Sequence, residues 1–194
     1  MSRAARVLVD NGVYHIINRG HNRYKIFNCL NDYKEYKSII RRYKKKFSFD
    51  LYHYCLMPNH IHLLLKVSTG SDLPDLMQAV TQAYARHYKK RYGLIGNLFQ
   101  GRYKGLYIEK DDYFLECARY IERNPLRANI VGNLSEYYFS SHGYYSKCRK
   151  DDIISTNPLY EALSNDPEER MKLYRQYVLQ NRPYENIVDK GLQI

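Results

Sequence analysis

The sequence predicts an α+β sandwich built on a mainly antiparallel sheet, and three observations carry that prediction. Segments with the two-residue alternation of strands are interleaved with two long segments of helical periodicity. Pro, Asn and Gly punctuate the joints between them. Hydrophobic residues fill 44% of the 194 positions, enough for a core at this length, beside charged residues at an ordinary 26%.

Residues 13–19 are rich in β-branched and aromatic side chains and close at Gly20, which makes them the first strand. Arg19 ends it, and the loop over residues 20–31 carries Arg23 and Lys25. Asp32 and Glu35 have capping-box spacing, and Tyr33, Tyr36, Ile40, Tyr43 and Phe47 recur at helical spacing, so residues 32–47 form an amphipathic helix. Residues 49–56 and 60–67 read as two antiparallel strands around the turn Met57-Pro58-Asn59. Ser71 or Asp72 caps a second helix with Pro74 in its first turn, and Gly93 stops it. After Gln100-Gly101-Arg102, residues 103–108 form a fourth strand. Asp111 or Asp112 then caps a third helix, which Asn124-Pro125 ends or sharply redirects.

The resulting order β-α-β-β-α-β-α, with two helices able to cover one face of the sheet, predicts a ferredoxin-like (RRM-like) sandwich whose other face is free for a ligand. Residues 1–148 make up this domain. Residues 149–194, with helical patterns at 157–163 and 167–181, form a small helical C-terminal appendage.

Charge narrows the class of partner. The chain carries 31 Lys+Arg against 20 Asp+Glu, a net +11 with a sequence pI near 9.4. The excess belongs to residues 1–150, while residues 151–194 are slightly acidic. A basic body with 22 Tyr, 6 Phe and no Trp suits a nucleic-acid partner, since phenol rings stack on bases, although such rings also serve as core edges. Cys29, Cys55, Cys117 and Cys148 form no C-x-x-C pair and read as small core residues. No run approaches the ~20 apolar residues of a membrane span, and residues 1–10 are too polar for a signal segment, so the expected location is cytoplasmic, with no membrane partner.

Two clusters could carry chemistry. In Met57-Pro-Asn-His-Ile-His-Leu-Leu-Leu65, a strand of period two projects His60 and His62 from one face while Ile61, Leu63 and Leu65 enter the core. Paired imidazoles suit a divalent metal, and they equally suit a partly exposed strand face; His15 and His53 read as structural or peripheral. In Arg119-Tyr-Ile-Glu-Arg-Asn-Pro125, Tyr120 and Asn124 share a helix face, flanking a core stripe of Phe114, Ala118 and Ile121. A tyrosine among Arg119, Arg123 and Arg127 is placed to meet a phosphodiester as a nucleophile. It can also be a core-edge ring, with Asn124 the N-cap of a short helix beginning at Pro125.

The sequence P-N-H-I-H, followed about sixty residues later by Y-I-x-x-N-P, with Asn18-Arg19-Gly20 in the first strand and Gln100-Gly-Arg-Tyr103 between them, resembles the HUH single-tyrosine transposases. Within these it is most similar to the REP-associated tyrosine transposases and their IS200-like relatives, over roughly residues 7–145. The resemblance implies that His60 and His62 bind Mg²⁺ or Mn²⁺, that Tyr120 attacks a DNA phosphate, and that Asn124 occupies the third ligand position, where the family often has Gln. It implies a metal-dependent transposase that cleaves and rejoins single-stranded DNA beside hairpins through a 5′-phosphotyrosine, as a monomer or homodimer. Arg19, Arg23, Arg102, Lys104, Arg119, Arg123 and Arg127 are the expected DNA contacts. No P-loop or Rossmann fingerprint competes with this reading. The alternatives are a non-catalytic nucleic-acid-binding protein of the same fold and a metal-dependent hydrolase that uses water in place of Tyr120.

Overall fold

A computed structural model describes residues 7–109 and 111–180, the side chains of residues 111 and 112 excepted. The cap expected from Asp111 or Asp112, residue 181 of the last expected helix, and the appendage beyond it lie outside the described residues.

Strands β1 (Val13–Arg19), β2 (Phe49–Met57), β3 (His60–Val67) and β4 (Lys104–Ile108) pair antiparallel in the order β2-β3-β1-β4. β1 and β3 are central and buried on both faces, which is why their sequences are almost continuously apolar. Met57 pairs with His60, so Pro58 and Asn59 form the tight turn between β2 and β3. The expected α+β sandwich is the observed one.

Helices α1 (Leu30–Lys44) and α2 (Asp72–Tyr92) pack together on one face of the sheet. There Ile39, Ile40, Leu76, Met77 and Val80 meet Ile16, Leu51, Ile61, Leu63 and Leu65. α1 starts two residues before its expected position because Asp32 acts from the third helical position. Its carboxylate accepts the backbone N–H groups of Asn28 (2.8 Å) and Cys29 (3.2 Å). Gly93 ends α2 as expected, at φ +65°, a conformation that suits glycine.

The other face is not free. Helix α3 (Asp111–Arg127) covers it, bringing Phe114, Cys117, Ala118 and Ile121 onto Ile17, Tyr52, Cys55 and Leu64. A register shift between Leu51 and His53 turns Tyr52 and His53 both toward α3, a β-bulge that widens the face available to that helix.

Pro125 also fails to end α3. A proline there removes the N–H that would bond the carbonyl of Ile121, and the Asn124 amide nitrogen supplies a substitute, 3.3 Å from Ile121 O and 2.9 Å from Tyr120 O. Asn124 is therefore a mid-helix residue, not the N-cap of a following helix.

Three short helices follow: α4 (His142–Lys147), α5 (Pro158–Glu161) and α6 (Pro167–Leu179). Sequence periodicity missed α4. This region is stitched to the rest: Asp151 binds Lys37 and the Tyr54 hydroxyl, Asp152 binds Arg41, and Ser155 N–H donates to Leu51 O. Cys55 and Cys117 are core residues as expected, whereas Cys148 is exposed. Among the described residues, no helix is long and apolar enough to cross a membrane.

The tyrosines mostly serve the core. Tyr14, Tyr36, Tyr54, Tyr84, Tyr145 and Tyr174 are buried. Some of the buried hydroxyls explain the preference over Phe: Tyr145 donates to Tyr52 O (2.8 Å), and Tyr137, also buried, donates to Leu56 O (2.7 Å).

Candidate active site

Alternation on β3 sends Ile61, Leu63 and Leu65 to the α1/α2 side and His60 and His62 to the α3 side, as expected. Register across β1 sets Arg19 beside His60 and Ile17 beside His62. His15, on the same face of β1 and diagonal to His62, stacks against it at 5.2 Å, with Nε2 3.0 Å from His62 Nδ1. His60 and His62 stand edge to face at 4.9 Å.

α3 closes this group by laying Tyr120 edge-on to both His15 (5.7 Å) and His62 (5.8 Å). Tyr120 is thus brought to the histidines, but it is only 1% exposed, a correction to its expected place on an open flank. The covered second face accounts for the difference. Exposed Arg127 lies over the Tyr120 ring at 5.0 Å, at the solvent side of the cluster.

Electrostatics keep the imidazoles uncharged. Burial holds His15 down to about 3, and burial followed by the nearby Arg19 charge holds His60 down to about 4. Burial, then His60, His15 and Arg127, holds His62 well below the ordinary value. All three rings are neutral at neutral pH, the form in which imidazole binds a cation.

The hydrogen bonds leave the right atoms for such a cation. His60 Nδ1 donates to Asn59 Oδ1 (2.6 Å), so Nε2 carries the lone pair. His62 Nε2 is buried without a hydrogen-bond partner while its Nδ1 is held by His15. A hydrogen bond that fixes one ring nitrogen while the other is left open is the arrangement of a metal-binding histidine. The two imidazoles fit a divalent cation, while the Asn124 carboxamide nitrogen is committed to the helix carbonyls of Tyr120 and Ile121. Among the described residues, no group of three or more His, Cys, Asp or Glu side chains is assembled for a metal.

The arginines divide into two sets. Arg23 and Arg102 are exposed, as is Lys104, and half-buried Arg19 donates to Gln100 Oε1 (3.1 Å), tying the two expected motifs together. Arg119 is fully buried, bonded to Glu116 and to Gln180 O (2.6 Å), and Arg123 donates to the carbonyls of Val178 and Leu179. These two guanidinium groups cap the C-terminal end of α6 and face the protein, contrary to their expected role as DNA contacts.

Sequence reasoning missed two sets of residues. His15 was legible as a member of β1, but its meeting with His62 depends on register. Glu122 is the centre of a second buried cluster: Oε1 is 2.9 Å from His53 Nδ1 and accepts from Ser141 Oγ (2.6 Å), and Oε2 is 3.0 Å from His142 Nδ1. Burial alone would push this carboxyl up, but hydrogen bonds from His142 and His53 and their charge hold it down, at about 2. The available signal was an acid next to Ile121 on the apolar stripe of α3. His53, expected to be structural or peripheral, is fully buried here and also bonds Asn157 (2.9 Å).

A family model described as Transposase IS200 like matches residues 8–124, a span that contains His15, His60, His62, Tyr120 and Asn124. The chain belongs to the IS200-like transposase family. This transposase is similar in fold to a REP-associated tyrosine transposase solved bound to a REP hairpin, with a TM-score of 0.65 and 18% identity over 81% of this chain and 93% of that one. A transposase candidate from Deinococcus radiodurans R1 matches at a TM-score of 0.44 and 23% identity, over 63% of this chain and 97% of that one. No curated protein matches the chain.

Proposed function

We propose that this transposase is a metal-dependent transesterase that cuts and rejoins single-stranded DNA beside hairpins through Tyr120. The observation that carries the reading is the contact of the Tyr120 ring with His62, whose outer nitrogen is buried without a partner.

In the reaction, the Tyr120 hydroxyl oxygen forms a bond to the scissile phosphorus and the P–O3′ bond breaks. The phenol proton ends on the released 3′ oxygen, leaving a 5′-phosphotyrosine and a 3′-hydroxyl. A different 3′-hydroxyl reverses the step and joins strands, with the bond energy conserved and no nucleotide cofactor consumed. His60, His62 and Asn124 would hold a divalent cation, Mg²⁺ or Mn²⁺, which when bound supplies positive charge to the phosphate. His15 fixes the His62 ring. Arg127 draws the phosphate toward the phenol it covers, and Arg19, Arg23, Arg102 and Lys104 bind neighbouring phosphates. The hairpin-bound state of the REP-associated relative supports hairpin DNA as the partner class.

The near-complete burial of Tyr120 favours one second reading, a DNA-binding protein of the same fold without covalent chemistry. A denaturing gel separates the two. Purified protein is mixed with labelled hairpin DNA carrying single-stranded flanks and Mn²⁺. A covalent band that needs both metal and Tyr120, and is lost in Tyr120→Phe, is the expected result. Tight binding with no band in the wild type would leave the binding protein.

A further inference from the structure

A cleft of about 560 Å³ lies on the far side of the sheet end from His60, between α2 and the loop leading into β4. Asn18, Gln78, Gln82 and Asn97 line it, with Lys89 and Arg102 also on its wall. Gln78 and Gln82 are one helical turn apart and share a face of α2. None of the four carboxamides has a hydrogen-bond partner for its side chain among the described residues. For Asn18 this is notable, because it is only 4% exposed. Its amide is not sealed off: Asn18 lines the cleft, where an entering polar group can pair with it.

The cleft is joined to the active site through the end of β1. Asn18 and Arg19 are consecutive and face opposite sides of the sheet, Asn18 opposite Ile61 and Arg19 opposite His60. The loop is pinned to the same point: Gly20 bridges Phe99, and the Gln100 N–H donates to Arg19 O (2.8 Å).

We infer that the cleft is a reading site for an unpaired nucleobase of the DNA strand whose phosphate is presented to Tyr120. A carboxamide offers a donor and an acceptor side by side, the pattern that matches a base edge. Leu98 and Ala85 give the base an apolar wall, and Lys89 and Arg102 meet its flanking phosphates. The inference rests on the proposed DNA reading but not on covalent chemistry.

The test uses the full chain and a hairpin oligonucleotide with eight-nucleotide random single-stranded flanks containing 4-thiothymidine, beside the same hairpin without flanks. After irradiation, cross-linked peptides are mapped by mass spectrometry, and affinities are measured for Asn18→Ala and Gln82→Ala. Cross-links within residues 78–102 are expected, with affinity for the flanked probe reduced about tenfold and affinity for the bare hairpin as in wild type. Gln82 is exposed, so Gln82→Ala remains informative if Asn18→Ala fails to fold. Cross-links confined to other surfaces, or wild-type affinity for the flanked probe in folded variants, overturn the inference. A metal-dependent Tyr120 adduct without cross-links in the cleft would refute the cleft alone. Cleft cross-links without any adduct would refute the covalent chemistry alone, and absence of binding to both probes would refute both.

Discussion

Replacing Glu122 by Gln keeps the shape of a fully buried side chain and removes its charge from between His53 and His142. The carboxyl is held at about 2 against an ordinary 4.5. At about 1.4 kcal/mol per unit this difference is worth about 3 kcal/mol of folding stability at pH 7. For a chain of this size that predicts a fall in Tm of about 6–12 °C, read by circular dichroism. The pH dependence gives a sharper check. Because the folded pKa lies below the unfolded one, the stabilisation is complete above pH 4.5 and is lost as pH falls through about 2. The gap between wild type and variant should therefore shrink below pH 4.5. His15 and His60 act in the same direction from pH 6.5 downward, since the metal-free unfolded chain takes up protons that the folded one refuses. They act equally in both proteins and cancel in the difference. A variant within about 1 kcal/mol of wild type at pH 7, or a gap unchanged at pH 3, would show that the Glu122 charge is not what holds the cluster.

His60→Ala and His62→Ala should abolish metal-dependent cleavage while DNA affinity in a filter-binding assay stays near wild type, because the surface cations supply most of it. His15→Phe keeps a ring of similar size but removes the bond to His62, and Mn²⁺ affinity by calorimetry should fall about 10–100-fold; an unchanged affinity would remove His15 from the site. Asn124→Ala strands the Ile121 carbonyl and should cost about 1–2 kcal/mol in urea unfolding, part of which Pro125→Ala in the same background restores by returning the missing N–H.

Local pattern is a property of neighbouring residues, and what depends on it was legible. The β2–β3 turn at Pro58-Asn59, the Gly93 stop, the shared face of His60 and His62 and the basic bias of the first 150 residues all follow from spacing or composition. The family motifs are legible for the same reason, since their residues sit at fixed offsets along the chain. Helix starts were read less well: Asp32 works from the third position of α1 as readily as from a cap, and sequence alone does not distinguish the two.

What the tertiary structure decided is which faces meet. A helical stripe specifies that α3 is amphipathic, but not that it covers the second face of the sheet and buries Tyr120 against His62. The charge of Arg119 and Arg123 is visible in the sequence, yet their burial depends on α6 arriving from some sixty residues away with carbonyls to be capped. Pro125 breaks helices in general, and here a side chain one residue earlier replaces the lost donor. His15 becomes part of the site only through the register of β1 against β3, because a shift of one residue would turn it to the opposite core. The sequence by itself determined most of the elements and the face each pattern presents; packing between distant elements determined which side chains meet, because contact energies are non-local while periodicity is local.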